Sequence, residues 1–397
     1  MRKYHKITPE GTKDLLFEEC LTRRHIQHIL ADVFSAHGFH EVITPGLEFY
    51  DVFNTDCCGI GQERMYKTTD KRGRLICMRP DSTMPIVRLT ATRLQNLPKP
   101  IRLYYTQSIY CSNPALTGRN DEVMQSGIEL LGARGRRADL EVLAIAVESL
   151  ARCVPSFRIE LGHAGFFQAL ATQLPISVAA REEIRQLIEA KNYAALDLVL
   201  DQLGNSKPVQ AMRRLPRLFG GAEILQEAAE YCVDSAAQET LEYLKELYTA
   251  LKAAGIGDHV MLDLGLVQRT DYYTDIVFSA YAEGWGDAIL TGGRYDNLLS
   301  SFEMPMPAIG FAVDVDAITE LLLSCGKGKK GRKTDVLVHC EDGYEMQALC
   351  YAASLTAEGK QCESSVFATR QQALAYAKEM KIPRVDFVGK EVEIIIR

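Results

Sequence analysis

Ile26, Ile29, Leu30, Val33 and Phe34 recur at the helical period, which predicts a helix over 18–37 that Gly38 stops. Residues 39–44 then read as a strand closed by Pro45. Two short strands, 64–67 and 75–79, flank a turn at 70–74, and a helix over 84–94 follows Arg79-Pro80-Asp81-Ser82-Thr83. The strongest strand signal is 101–109, rich in aromatic and β-branched residues. Asn113-Pro114 and Thr117-Gly118 punctuate the loop at 111–121, and 122–131 reads as the return strand. The helical period resumes at 139–153 through Leu140, Leu143, Ala144, Val147, Leu150 and Ala151. A strand at 157–161 leads into Gly162-His163-Ala164-Gly165-Phe166-Phe167. The next stretch, about 170–255, is almost wholly helical in pattern, with Ile184, Leu187 and Ile188 and then Leu241, Leu244, Leu247 and Tyr248 in phase. Segments 260–266, 272–281, 288–291 and 309–313 read as antiparallel strands.

The Gly/Lys-rich run 324–334 reads as a linker. Beyond it, strand (336–339), helix (344–356), helix (370–380) and strands (385–388, 392–396) make a small α/β domain over 335–397. The expected class is α+β: a main domain over 1–323, an antiparallel sheet flanked by helices, interrupted by a helical insertion.

Composition narrows the function classes. With 397 residues, 47% hydrophobic and 24% charged, the chain can bury a full core and reads as an ordinary soluble protein. A net charge of -7 weighs against a nucleic-acid partner, tRNA included. No apolar run is long enough to span a bilayer, and the start of the chain has no secretory pattern, so no membrane role is expected. The 11 cysteines are scattered, with Cys57-Cys58 the only close pair and no CxxC, which points to reduced thiols in a cytoplasm and to no metal site.

Candidate chemistry comes from three places. Gln125 and Glu129 are four apart on a predicted strand and so share a face, where an amide and a carboxylate could cradle an amine or imidazole. Spacing alone favours an ordinary solvated strand face. Asp81, Ser82 and Thr83 stand where a helix starts, and capping is the simpler explanation of them. Asp271-Tyr272-Tyr273 and Gly292-Gly293-Arg294-Tyr295-Asp296 combine rings that can hold an imidazole with glycines that let a ligand approach the backbone. Packing in a core explains the tyrosines equally well. His163 could be a base, but a loop histidine at a helix start is more often structural. Arg213-Arg214 and Pro216-Arg217 form the one basic cluster of the insertion.

These motifs resemble those of class II aminoacyl-tRNA synthetases, most closely histidyl-tRNA synthetase, over most of 8–320. Helix, strand and Pro45 resemble the first class II signature, which in that family builds a dimer interface. The hairpin at 101–131 is similar to the second. The family's Arg-Pro-Glu-Gly-Thr reads here Arg79-Pro80-Asp81-Ser82-Thr83, its Arg-Gly-Leu-Asp-Tyr-Tyr ends here as Asp271-Tyr272-Tyr273, and its Gly-Gly-Arg-Tyr-Asp is intact. The resemblance implies a histidine pocket of Asp81, Thr83, Gln125, Glu129, Arg269, Tyr272 and Tyr273. The nucleotide end departs from the family. Tyr110 and Ser112 stand where the hairpin arginine and glutamate are expected. Gln268 stands at the catalytic arginine position, with Arg269 one residue later. Gly310–Ala317 resembles the third signature, but Ala317 replaces its phosphate-clamping arginine and Asp314 its glycine.

A chain altered in this way resembles the regulatory subunits of the short-form ATP phosphoribosyltransferase, a synthetase paralogue family of the first step of histidine biosynthesis. Gly162-His163-Ala164-Gly165 and the helical insertion look like that family too. The resemblance implies a cytoplasmic, non-catalytic protein without cofactors. It implies a homodimer that joins the short catalytic subunit in a hetero-octamer, is required for activity and senses histidine. The C-terminal domain is similar to a shortened anticodon-binding domain. The competing expectations are a divergent histidyl-tRNA synthetase and a sensor of another amino acid.

Overall fold

In the computed structural model, which describes residues 4–54, 60–114, 118–232, 235–267 and 273–396, strands Ile101–Tyr110 and Glu122–Leu131 pair antiparallel from end to end. They are the second and third strands of a nine-stranded sheet. In spatial order it runs His40–Glu41, Ile101–Tyr110, Glu122–Leu131, Ala308–Asp314, Leu290–Arg294, Ile276–Ala282, Phe157–His163, Val260–Asp263 and Phe219–Gly220.

Alternation along these strands assigns each face its job. Tyr104, Ile128, Leu130 and Phe311 point to the side covered by helices Phe17–Ala36 and Arg136–Cys153. There Phe34 packs against Tyr104 and Phe311 with ring centroids 5.8 and 5.9 Å apart. Leu103, Tyr105 and Leu131 point to the opposite side and form a second apolar cluster with Met84, Val87 and Leu298. That second face carries the pocket. A separate three-stranded sheet, Leu47–Phe49, Leu75–Met78 and Lys67–Thr69, lies beside it in sequence.

Several elements differ from expectation for identifiable reasons. The strand expected at 39–44 is only His40–Glu41. Further on, side chains occupy its backbone groups: the Thr44 amide donates to Gln107 Oε1 (3.2 Å), and the Arg79 guanidinium donates to the Thr44 and Pro45 carbonyls (2.7 and 2.9 Å). Residues 62–64 form a 3-10 turn instead of the strand expected from 64. The strand expected at 260–266 stops at Asp263, whose carboxylate accepts from the Gly265 amide (2.8 Å). It runs parallel to Phe157–His163 on one side and is antiparallel only to the two-residue strand Phe219–Gly220 on the other. A parallel pair needs a long crossover, and the helical insertion is that crossover. Its helices are Ala164–Thr172, Val178–Glu189, Tyr193–Asp201, Lys207–Arg214, Glu223–Tyr231 and Ser235–Ala253.

The chain divides into two compact units, Met1–Gly328 and Lys329–Arg397, a boundary inside the Gly/Lys-rich run. The second unit is a four-stranded sheet with helices Glu345–Ala357 and Arg370–Glu379. It includes one strand the sequence pattern does not show, Cys362–Ser364, too short and polar to alternate visibly. Among the described residues no helix is long and apolar enough to cross a membrane.

Candidate functional site: a carboxyl-lined cleft on the open face of the sheet

Glu129 is the centre of the site. Its strand buries it on the pocket face, leaving it 2% exposed. Thr83, the first residue of helix Thr83–Arg93, donates its hydroxyl to Glu129 Oε1 (2.8 Å), and the Tyr295 hydroxyl donates to Oε2. Asp81 enters from the turn before that helix, where its Oδ1 accepts from the Met84 amide (2.8 Å). It therefore caps the helix, as the simpler sequence explanation holds, and lines the cleft as well. Gln125 follows from the same strand as Glu129, and Tyr273 closes one wall. The cleft has a volume of about 120 Å³, and no lysine or arginine stands among the described residues that line it.

Burial pushes the Glu129 carboxyl up from its ordinary 4.5 to about 8, and the nearby Asp81 charge pushes the same way. The hydrogen bonds from Tyr295 and Thr83 oppose the shift without cancelling it. Burial also raises Asp81, against the backbone amides it accepts from. Two carboxyls held back from ionising, an amide and aromatic walls make a socket for a cationic or amine-bearing ligand with a ring. Such a ligand supplies the charge that lets Glu129 ionise.

Of the residues expected in the pocket, Asp81, Thr83, Gln125, Glu129 and Tyr273 line one cleft. Arg269 and Tyr272, with Gln268 and Asp271, lie outside the described residues, as do Cys57 and Cys58. Sequence reasoning left out Tyr295, Thr291, Gly310 and Ala312. A signal for Tyr295 was present in the Gly292–Asp296 motif, but the strand pattern does not say that its hydroxyl reaches Glu129. The paired glycines serve the protein's own side chains. A Cβ on Gly293 would stand 2.7 Å from the Tyr273 ring, and one on Gly292 would stand 2.6 Å from the Phe278 ring. Gly310 makes room for Glu129 itself, since a Cβ there would stand 2.0 Å from Oε2.

His163 is structural. Its Nδ1 accepts from the Gly165 amide (3.1 Å) at the start of helix Ala164–Thr172, and its Nε2 pairs with Asp275. Two of the three arginines of the insertion's basic cluster are neutralised in place: Arg213 pairs with Asp197 and Asp201, and Arg214 with Glu227.

Toward the far end of these strands, local partners occupy the altered positions. The Tyr110 hydroxyl donates to Glu122 (3.1 Å). Asp314 Oδ1 accepts from the Ala317 amide (2.8 Å) and so caps helix Val315–Ser324. Burial lifts the Asp314 carboxyl to about 6, and the neighbouring Asp316 adds to the shift. Asp316 pairs with Arg23 (2.9 Å) and accepts from the Met124 amide (2.8 Å).

A family model described as histidyl-tRNA synthetase matches residues 11–318. The structure resembles a histidyl-tRNA synthetase from a Nostoc species with a TM-score of 0.79 at 18% identity, over 99% of this chain and 97% of that one. It also resembles a Bacillus halodurans protein described as an ATP phosphoribosyltransferase regulatory subunit/histidyl-tRNA synthetase. There the TM-score is 0.86 at 27% identity, over 98% of this chain and 100% of that one. Fold and cleft thus define a class II synthetase-like protein of the histidyl type. An ATP phosphoribosyltransferase regulatory subunit from Clostridium kluyveri is 38% identical, over 97% of this chain and 100% of its own length. One from Bacillus mycoides is 34% identical over 97% and 92%. The chain belongs to the family of ATP phosphoribosyltransferase regulatory subunits.

Proposed function

We propose that this chain is the non-catalytic, histidine-sensing regulatory subunit of a short-form ATP phosphoribosyltransferase, acting at the first step of histidine biosynthesis. The observation that carries the reading is the contrast between the cleft and the altered signature residues at the start of helix Val315–Ser324. The amino-acid end keeps Asp81, Thr83, Gln125 and Glu129 around a socket for a cation. The nucleotide end has Ala317 in place of a phosphate-binding arginine, beside the buried carboxyl of Asp314. An arginine fork grips phosphate bidentately; alanine cannot, and carboxylates repel it. Adenylation also needs positive charge around the transferring group, which supports a site that binds the amino acid without activating it.

In this reading histidine enters with its ammonium or imidazole N–H toward Glu129 and Asp81 and its ring against Tyr273. Regulation is linkage: histidine shifts the complex toward a low-activity state by as much as its affinity differs between the two states. The protein is proposed to act in the cytoplasm as a dimer, which assembles with the catalytic subunit into a hetero-octamer. Ile43, 78% exposed in the segment resembling the first class II signature, supports dimerisation there, since exposed apolar residues mark interfaces when they cluster.

Calorimetry is expected to show histidine binding, and a pyrophosphate-exchange assay with histidine and ATP is expected to show no turnover. Robust exchange would make the chain an active synthetase and end the regulatory reading. Light scattering at micromolar concentration is expected to give the mass of a dimer, and a monomer would contradict the proposed interface.

A further inference from the structure

The helical insertion is fastened to the pocket by a buried polar network that touches no ligand-lining atom. On the insertion side, Tyr243 of helix Ser235–Ala253 donates its hydroxyl to Asp139 Oδ2 on helix Arg136–Cys153. Asp139 is wholly buried, and its other oxygen accepts from Nε (2.9 Å) and Nη2 of Arg294. Arg294 spends its remaining terminal nitrogen on the Ala133 carbonyl (3.0 Å) and Asp296 (3.1 Å). Its chain neighbours are Gly293, on which the Tyr273 ring lies, and Tyr295, which holds Glu129.

A second route starts at Tyr273. The next residue, Thr274, donates its amide to the Arg294 carbonyl (2.8 Å), and its hydroxyl accepts from the Asp296 amide (3.1 Å). Asp275 then pairs with His163 through its side chain, and its carbonyl accepts from the amide of Ala164, the first residue of the insertion's first helix (2.8 Å). His163 Nδ1 accepts from Gly165, and Nε2 lies against Asp275 Oδ1. The His163 ring meets the Tyr243 ring edge to face, with centroids 6.2 Å apart. Both routes end on the same two side chains at the root of the insertion.

A buried ion pair adds little net stability over well-packed apolar residues, but it accepts only one geometry. Arg294–Asp139 ties the pocket strand to helix Arg136–Cys153, and Tyr243 ties the insertion to the same carboxylate. We propose that this network is the link by which a ligand in the pocket sets the placement of the helical insertion, with Arg294, Asp139 and Tyr243 as positioning residues. A ligand that engages Tyr273 and Glu129 draws on Tyr295 and Thr274, and both are bonded or joined directly to Arg294. The proposal rests on the reading of the cleft as a histidine site.

The test is amide hydrogen exchange on the full-length protein with and without saturating L-histidine, with calorimetry on the same samples. In the wild type, histidine is expected to change protection along 164–172 and 235–253, which do not line the cleft. Tyr243→Phe keeps the ring and removes only the hydroxyl. It is expected to bind histidine with wild-type affinity and to lose the ligand-dependent change on 235–253. A purely structural role for the hydroxyl would shift protection equally with and without ligand and leave the difference intact, which overturns the proposal. Wild-type binding with no change on the insertion overturns it as well. Absence of wild-type binding by calorimetry removes the histidine site, and the link falls with it.

Discussion

Glu129→Gln is expected to weaken histidine binding by about ten- to a hundredfold, the cost of one charge-assisted hydrogen bond at roughly 1.5–3 kcal/mol. The amide keeps the shape of the carboxyl and can still accept from Thr83, so the fold should survive and activation of the catalytic subunit should stay near wild type. A histidine inhibition curve of the reconstituted enzyme reads both effects. An unchanged curve would place sensing elsewhere and leave the synthetase-like cleft a relic of ancestry.

The same substitution should change the pH response, and the sign follows from burial. The folded carboxyl titrates near 8 instead of its ordinary 4.5. Below about 4.5 it is protonated both folded and unfolded. Between about 4.5 and 8 only the folded chain keeps the proton, so stability falls as pH rises through that window. The full loss is on the order of 5 kcal/mol. The wild-type midpoint in urea should therefore drop more between pH 5 and pH 8 than that of Glu129→Gln. Histidine should reverse the effect by stabilising the ionised carboxylate, so its binding at pH 7 should release a proton. Heats measured in phosphate and in Tris would then differ for the wild type and agree for the variant.

Arg294→Met is expected to destabilise the protein by about 3–5 kcal/mol, because it leaves the Asp139 carboxylate buried without its cation. Asp139 is wholly buried and Arg294 only 2% exposed, so water cannot replace the lost partner. Arg294→Met combined with Asp139→Leu should recover part of that loss, since no unpaired charge then stays buried, while the Tyr243 hydroxyl and the Ala133 carbonyl still lose their partners. Denaturant melts of the two single variants and the double variant give the coupling directly. If the double variant is no more stable than Arg294→Met, the cost lies in the bonds to Ala133 and Asp296 and not in the ion pair.

These expectations rest on features that differ in how plainly they show in the sequence. The hairpin Ile101–Tyr110 with Glu122–Leu131 is legible because alternation, aromatic content and turn residues all point the same way. The helices of the core and insertion are legible from their period. Gln125 and Glu129 share a face by strand geometry alone. The linker shows in its composition.

Other features depend on contacts between distant segments. Thr83 meets Glu129 across 46 positions and Tyr295 meets it across 166. No local pattern encodes such a meeting, because it depends on which strands become neighbours in the sheet. The parallel pairing of Val260–Asp263 with Phe157–His163 is hidden for the same reason: the whole insertion intervenes, and strand propensity carries no direction. The early end of the strand at Glu41 is set by Arg79 and Gln107, which claim the backbone beyond it. Arg294 stands in a singled-out motif and Asp139 at a predicted helix start, but nothing local pairs them; packing buries them together. The sequence by itself determined which residue types face the pocket strand by strand. Tertiary structure alone decided which of them share one cleft and which carboxyl, cut off from water, holds its proton near neutral pH.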